Sequence, residues 1–355
     1  MTLRVGVIGT GFARRVQLPA LEHVPDVRAV AVSSGRRANA EATAREFGIP
    51  RVYDDGAALV QDPEVDAVFV ASTPATHARY AIAALDAGKH VLCEKPAALN
   101  AAEAAAMVAA ARRHPDRLAW IDHELRYEPQ RRKVRDLIRA GAIGEVRHLE
   151  LVLRPYYRSD GRGQTNQDPP WTWWSDAAQG GGILGAVATH LIDLCRFWTG
   201  SDIRQVAGGV ATWTRERRDD AGIVRPVTAE EFGSFVLFLA SGAVATLTLS
   251  AVAYHGPGHF AQVTGSAGSI VLTGESQLEI GRPGAPLEDV SAPDELMGRT
   301  RPNSMWARGF VRLLRDFARA ASGAPPEGAP ASFADGLAVQ RVLDAVRAGG
   351  AARLD

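Results

Sequence analysis

Over the first third of the chain, short runs rich in valine and isoleucine alternate with alanine-rich stretches whose apolar positions repeat at helical spacing. The pattern predicts strands at 4–8, 27–32, 67–71, 90–93 and 118–121, with amphipathic helices at 38–47, 75–87 and 101–113 between them. Strand and helix in regular alternation is the signature of βαβ units, so this part is expected to be an α/β domain with a doubly wound parallel sheet. Pro19 falls inside the first helical connection and is expected to shorten or kink it.

After Pro129 the period changes. One helix runs to about 140, and longer alternating stretches at 146–154, 232–239 and 243–251 predict a second, α+β domain with a large, mostly antiparallel sheet. Phe232, Ser234, Val236 and Phe238, set against Phe235, Leu237 and Leu239, read as a strand covered on both faces. A Pro/Gly/Ala linker over 322–331 separates two C-terminal helices. The first carries Trp306, Phe310, Leu313, Leu314 and Phe317 at helical spacing, and the second opens at Ser332 with Asp335 completing a capping box. The expected division is residues 1–124 and 125–355, and no internal repeat is evident.

Apolar residues make up 46% and charged residues 23% of the 355 residues, enough for large cores. Basic and acidic side chains balance at 40 each, which argues against nucleic acid and anionic membranes as partners. The opening residues carry no basic segment followed by a long apolar one, so a cytoplasmic protein is expected. No apolar run approaches the ~18 residues that cross a bilayer. Cys93 and Cys195 have no paired spacing, so neither a metal site nor a disulfide framework is expected. Lysine is confined to Lys89, Lys95 and Lys133 in a background of arginine. An amine can give up its proton where a guanidinium cannot, which draws attention to those positions, although three lysines can equally be the residue of a biased composition.

The first strand leads into Gly9-Thr10-Gly11-Phe12, a turn whose amides can approach a pyrophosphate at a helix start. Gly9, Gly11 and Phe12 are therefore candidate cofactor residues. Arg14 stands where the dinucleotide fingerprint has its last small residue, which puts close helix packing in doubt but could offer a phosphate a guanidinium. The second strand ends in Ser33-Ser34-Gly35-Arg36-Arg37, without the carboxylate that would hold a ribose 2′-hydroxyl. Ser33, Arg36 and Arg37 suit a 2′-phosphate, which favours NADP(H), with NAD(H) the alternative. Either arginine can also be a solvated helix start.

Residues Thr73-Pro74-Ala75-Thr76-His77 and Ala87-Gly88-Lys89-His90-Val91-Leu92-Cys93-Glu94-Lys95-Pro96 resemble the glucose-fructose oxidoreductase and inositol dehydrogenase family. The likeness continues through Arg126-Tyr127-Glu128-Pro129, Ile143-Gly144-Glu145, the segment 180–193 and Asp335-Gly336-Leu337. It implies that Lys95 assists proton transfer beside a nicotinamide and that Thr73, His77, Glu94 and Pro96 line the cofactor site, with Pro96 in a cis peptide. Independently, Lys95 follows a predicted parallel strand, and ligands of open α/β sheets bind at such carboxyl ends.

A second family signature aligns with Gly180 to Asp193, where His190 and Asp193 match but Ala186 replaces an aspartate. In a regular helix 186, 190, 193 and 197 share a face, so a carboxylate one turn before His190 is absent. The resemblance makes His190 a candidate general base. The residue types alone fit a hydrogen-bonded histidine in a helix wall as well. By resemblance, His123, Arg126 and Asp193 join Tyr157 and Trp173 as substrate-binding candidates. The aromatics of Pro155-Tyr156-Tyr157 and of 169–174 can stack on a sugar ring, or they can bury one another.

The resemblance implies an NAD(P)-dependent oxidoreductase acting on a sugar, cyclitol or related hydroxy or keto compound. It also implies a homodimer or homotetramer formed through the second sheet. A cofactor-holding regulator without turnover, and a lyase or hydrolase that uses the nicotinamide transiently, are the alternatives.

Overall fold

The computed structural model describes residues 2–154, 169–253 and 258–354. The chain divides into two compact units, Met1–Glu128 with Asp294–Leu337 and Pro129–Pro293 with Ala338–Asp355. The first unit holds a seven-stranded sheet. Strands β1 (Leu3–Ile8), β2 (Val27–Ser33), β3 (Arg51–Tyr53), β4 (Ala67–Val70), β5 (His90–Cys93) and β6 (Ala119–Ile121) lie parallel in the order β6-β5-β4-β1-β2-β3. A two-residue strand, Ala331–Ser332, adds antiparallel to β6.

The winding reverses at β1, between β4 and β2, which is where open α/β sheets bind ligands. After β1 the chain forms a π-turn at Ala13–Gln17, then α1 (Leu18–Ala20) and a 3-10 turn at Leu21–His23. Pro19 explains the broken connection, since it has no N–H to donate and its ring crowds the preceding turn. Helix α2 (Arg37–Phe47) ends at Gly48, α3 (Gly56–Leu59) is a single turn, and α4 (Pro74–Asp86) starts on a proline. Helix α5 (Ala101–Arg113) is capped by Asn100, whose side chain accepts from the Glu103 amide at 2.9 Å.

The second unit begins with α6 (Pro129–Arg139) and contains a nine-stranded sheet. Strand β7 (Val146–Leu153) lies between β12 (Val244–Ser250), its one parallel neighbour, and the antiparallel β13 (His259–Gly265). Strands β11 (Phe232–Leu239) and β8 (Ile203–Ala211) continue the sheet from β12, and Gly350–Arg353 pairs antiparallel with β8 as the ninth strand. Strands β14 (Ser269–Thr273), β15 (Gln277–Gly281) and β16 (Glu288–Asp289) continue it from β13. The short pair β9 (Glu216–Arg218) and β10 (Val224–Pro226) forms a separate hairpin. Helix α7 (Thr189–Thr199) packs on β7 and α6, and the Trp198 indole donates to the Arg131 carbonyl at 2.9 Å.

In β11 the residues Phe235, Leu237 and Leu239 are buried, whereas Ser234 and Phe238 are exposed. The expectation of a strand covered on both faces is therefore corrected: alternation places one set against the helices and turns the other outward.

The expected break at 124/125 also shifts, and the first C-terminal helix, α8 (Met305–Ala321), returns to the first unit. Its apolar stripe supplies the reason. Phe310 and Phe317 meet Phe69 of β4 edge-on at 6.3 and 6.2 Å between ring centres, and Phe317 meets Trp120 of β6 at 5.3 Å. Helix α9 (Phe333–Ala348) has the expected cap, in which Ser332 and Asp335 exchange hydrogen bonds at 2.9 and 3.2 Å. Among the described residues no helix is long and apolar enough to cross a membrane.

Candidate active site

The glycine turn continues the sheet. Gly9 donates to the Ser33 carbonyl at 2.8 Å, and Ala71 donates to the Ile8 carbonyl at 2.7 Å. Gly9 has φ +99°, and a Cβ there would lie 2.3 Å from the Ala71 carbonyl oxygen. A Cβ on Gly11 would meet no heavy atom within 4 Å. The turn is thus held from below and open at Gly11, which fits the close backbone approach of a pyrophosphate. Arg14 pairs with Glu46 of α2, so its side chain lies on the surface and does not obstruct packing.

At the end of β2 the three candidates separate. Ser33 is 1% exposed with its hydroxyl inside the core, and Arg37 is paired with Glu41 at 2.8 Å and with Asp54. Arg36 is exposed, and among the described residues its side chain has no hydrogen-bond or ion-pair partner. Ser34, passed over in the sequence, has its hydroxyl 3.2 Å from that of Thr10 and ties β2 to the glycine turn.

Lys95 leaves the carboxyl end of β5, half-buried, with its Nζ 5.8 Å from the centre of the Phe12 ring. The Lys95–Pro96 peptide is cis. Beneath it lies a buried acidic cluster. The Gln17 amide donates to Glu94 Oε1 at 2.8 Å and to Asp122 Oδ2 at 3.3 Å, bridging the two carboxyl groups. Burial raises the Glu94 carboxyl, an effect that Lys95 opposes, and it pushes Asp122 well above the carboxylate range, helped by the negative charges of Glu94 and Glu124. Glu124 is pushed up to about 8, chiefly by burial. Helix α8 reaches this corner because Gly309 has no side chain; a Cβ there would lie 2.6 Å from the Glu124 carbonyl.

His77 of α4 is 1% exposed, with Nδ1 2.8 Å from the Pro96 carbonyl and Nε2 3.1 Å from the Ser72 carbonyl. It braces the β4 loop against the turn that carries Lys95. Thr73 is the half-buried residue before α4. Burial depresses the His77 pKa from 6.5 to about 4, so between those values the unfolded chain binds a proton that the folded chain refuses. The resulting stability is present at neutral pH and is lost as pH falls through that window. Chemical denaturation at about pH 7 and about pH 4.5 should show His77→Asn losing roughly 2 kcal/mol less than the parent over that interval. An equal loss in both would remove His77 as the cause.

In the second unit, His190 and Asp193 are both 1% exposed on α7. The residues before it, Leu184–Ala188, form a π-turn, so 186 and 190 are not related by a regular helical turn as the spacing suggested. Glu230 holds this entrance. Its main-chain carbonyl accepts from Ile183 at 2.9 Å, and its carboxylate accepts from the Leu184 amide at 3.3 Å and pairs with Arg347 at 3.1 Å. The carboxylate occupies the space where Gly182, at φ +99°, would carry a Cβ.

Arg126 donates to the carbonyls of Ala329 and Pro330 at 3.2 and 3.3 Å and lies 3.4 Å from Asp335, so its guanidinium secures the linker. His123 is buried at the start of a 3-10 turn. Trp173 is half-buried with its ring 5.9 Å from that of Trp174, and Trp171 donates to the Pro226 carbonyl at 2.8 Å. Tyr157 lies outside the described residues.

Sequence reasoning missed Gln17, Asp122, Glu124 and Glu230. Asp122 and Glu124 flank His123 directly after a parallel strand, so the rule that singled out Lys95 applied to them too. Gln17 and Glu230 left no such signal.

Residues 3–123 match the family model described as an oxidoreductase family with an NAD-binding Rossmann fold, and residues 131–271 match the GFO/IDH/MocA C-terminal domain. Levoglucosan dehydrogenase of Pseudarthrobacter phenanthrenivorans is 31% identical over 302 residues, covering 78% of this chain and 75% of its own. An uncharacterized oxidoreductase of Synechocystis is 32% identical over 272 residues, covering 76% and 71%. Among solved structures, an oxidoreductase domain protein from Kribbella flavida superposes with a TM-score of 0.85 at 28% identity, covering 100% of both chains. Levoglucosan dehydrogenase in complex with NADH and L-sorbose gives 0.86 at 24% identity, covering 100% of this chain and 99% of that one, and supports the fold. With both of its domains matched, the chain belongs to the GFO/IDH/MocA family of oxidoreductases and carries that family's NAD-binding Rossmann domain.

Proposed function

We propose that this protein transfers a hydride between a nicotinamide dinucleotide and a carbinol or carbonyl carbon of a sugar, cyclitol or related compound. The observation that carries this reading is the placement of Lys95. Its amine lies 5.8 Å from the Phe12 ring of the turn whose Gly11 is open to a ligand, at the carboxyl ends of β1 and β5. Gly9, Gly11 and Phe12 would hold the dinucleotide, with Thr73, Glu94 and Pro96 around it. When bound, the nicotinamide supplies or accepts the hydride. Lys95 gives a proton to the carbonyl oxygen in reduction and takes it from the hydroxyl in oxidation, and His190 is the second acid-base group. His123, Trp173 and Asp193 are the proposed substrate-binding residues, and Tyr157 is kept on resemblance. A sugar as substrate draws support from the levoglucosan dehydrogenase relative.

The absence of a carboxylate at 33–35 and the exposed Arg36 support NADP(H), with Arg36 as the cation for the 2′-phosphate. Homo-oligomer formation would use the outward face of the second sheet, where Phe238 is 39% exposed.

Purified protein, NADPH or NADH, and a panel of keto-sugars and oxidised cyclitols provide the test, followed by nicotinamide absorbance. Sustained oxidation is expected, with kcat/KM for NADPH roughly tenfold or more above that for NADH and the advantage lost in Arg36→Ala. Equal use of the two cofactors, or better use of NADH, would overturn the cofactor assignment. Cofactor binding without turnover on any member of the panel would favour a regulator instead.

A further inference from the structure

Three carboxyl groups and one amine gather at the carboxyl ends of β5 and β6 in the first unit, and their charges must balance inside the protein. Glu94 is 5% exposed, Asp122 0% and Glu124 1%. Glu94 and Asp122 stand on one shared donor, the Gln17 amide, and two buried carboxyl groups so close together cannot both stay ionised beside a single amine. Gln17 fits this arrangement, since its amide donates to one oxygen of each at 2.8 and 3.3 Å.

We propose that Glu94 and Asp122 share one proton, carried by Asp122, so that the pair bears a single negative charge on Glu94 that serves as the counter-charge of Lys95. Lys95 selects Glu94 as the charged member, because its positive charge acts on Glu94 and Glu124 and opposes the effect of burial on both. Among the described residues, Cys93, Gln17 and Glu124 also face the pair. The Cys93 thiol is held protonated by burial and by Glu94 and Asp122, and Gln17 is neutral. Glu124 is held up to about 8 and is mostly neutral below that pH. One buried negative charge then faces one amine, a balance that a low-dielectric site requires. Asp122 and Glu94 are positioning residues acting through Lys95. That final step rests on the proposed role of Lys95, whereas the protonation state of the pair does not.

Infrared spectroscopy of the full-length protein without substrate reads the proton directly. At about pH 7 the difference spectrum of parent minus Asp122→Asn should contain the C=O stretch of a protonated carboxyl, shifted by deuterium exchange. The same band should survive in Glu94→Gln and persist when pH is raised through about 8. A second band, lost as pH rises through about 8 and absent in Glu124→Gln, would belong to Glu124. Thermal unfolding supplies the check on charge. Asp122→Asn replaces a neutral acid with a neutral amide and should move the midpoint by no more than a degree or two. Glu94→Gln removes the counter-charge and should lower it by roughly 5 °C or more. No protonated-carboxyl band in the parent, or a band removed by Glu94→Gln and kept by Asp122→Asn, would overturn the inference. Both readouts are taken without turnover, so an inactive protein would count against the oxidoreductase reading and leave this result standing.

Discussion

Lys95→Met should lower turnover by about 10²–10⁴-fold while cofactor affinity changes by less than about threefold. The substitution keeps most of the aliphatic stem and removes, among the described residues, the only lysine amine at the carboxyl ends of the first sheet's central strands. Of the other two lysines, Lys89 donates to the Asp62 carbonyl at 2.9 Å just before β5 begins, and Lys133 belongs to α6 of the second unit. Lys95→Arg should be nearly as damaging, because a guanidinium holds its proton at every working pH. His190→Ala should be milder, since Ala186 provides no carboxylate and the π-turn at Leu184–Ala188 breaks the regular spacing before it. Steady-state kinetics with cofactor titration by fluorescence separates chemistry from binding. If Lys95→Met retains most of its turnover, the acid-base role assigned to Lys95 is wrong.

Gly9→Ala should destabilise the first unit by on the order of 3 kcal/mol or more and abolish cofactor binding, whereas Gly11→Ala should leave stability within about 0.5 kcal/mol. At Gly9 a Cβ meets the Ala71 carbonyl at 2.3 Å and demands φ +99°, so both the backbone and the β4 loop must move. At Gly11 the space is open, and the protein itself has nothing to lose. Cofactor affinity of Gly11→Ala should nevertheless fall roughly tenfold or more, because the methyl fills the approach proposed for a phosphate. Thermal unfolding and NADPH titration of both variants check this. A Gly11→Ala protein that binds as tightly as the parent would mean that the ligand backbone does not pass there.

The first sheet was legible because each of its longer strands carries an apolar run of at least three residues, with amphipathic helices between them. Strand β3 and helix α3, at three and four residues, are too short to show any period. The return of α8 to the first unit could not be read locally. Its aromatic stripe was visible, but the surfaces it fills, Phe69 and Trp120, lie in other strands far away in sequence. Lys95 drew attention in the sequence because lysine is rare here and this one follows a strand. Asp122 and Glu124 were overlooked because acidic residues are common and nothing in a sequence reports their burial. Ser33 was misjudged for a related reason: strand alternation left open which of Ser33 and Ser34 turns inward, and it is Ser33 that is 1% exposed. Arg37 and Arg126 looked free as sequence, and in the fold each has carboxylates or carbonyls within reach.

Direct transfer of hydride between cofactor and substrate can be followed with an isotope. The enzyme would be given NADPH carrying deuterium at both C4 positions together with the best keto substrate from the panel, and the product would be examined by mass spectrometry and deuterium NMR. One deuterium per product molecule, bound to the new carbinol carbon, is the predicted result. Product that forms while all the deuterium stays with the cofactor, or in which the carbinol hydrogen comes from solvent, would exclude direct hydride transfer.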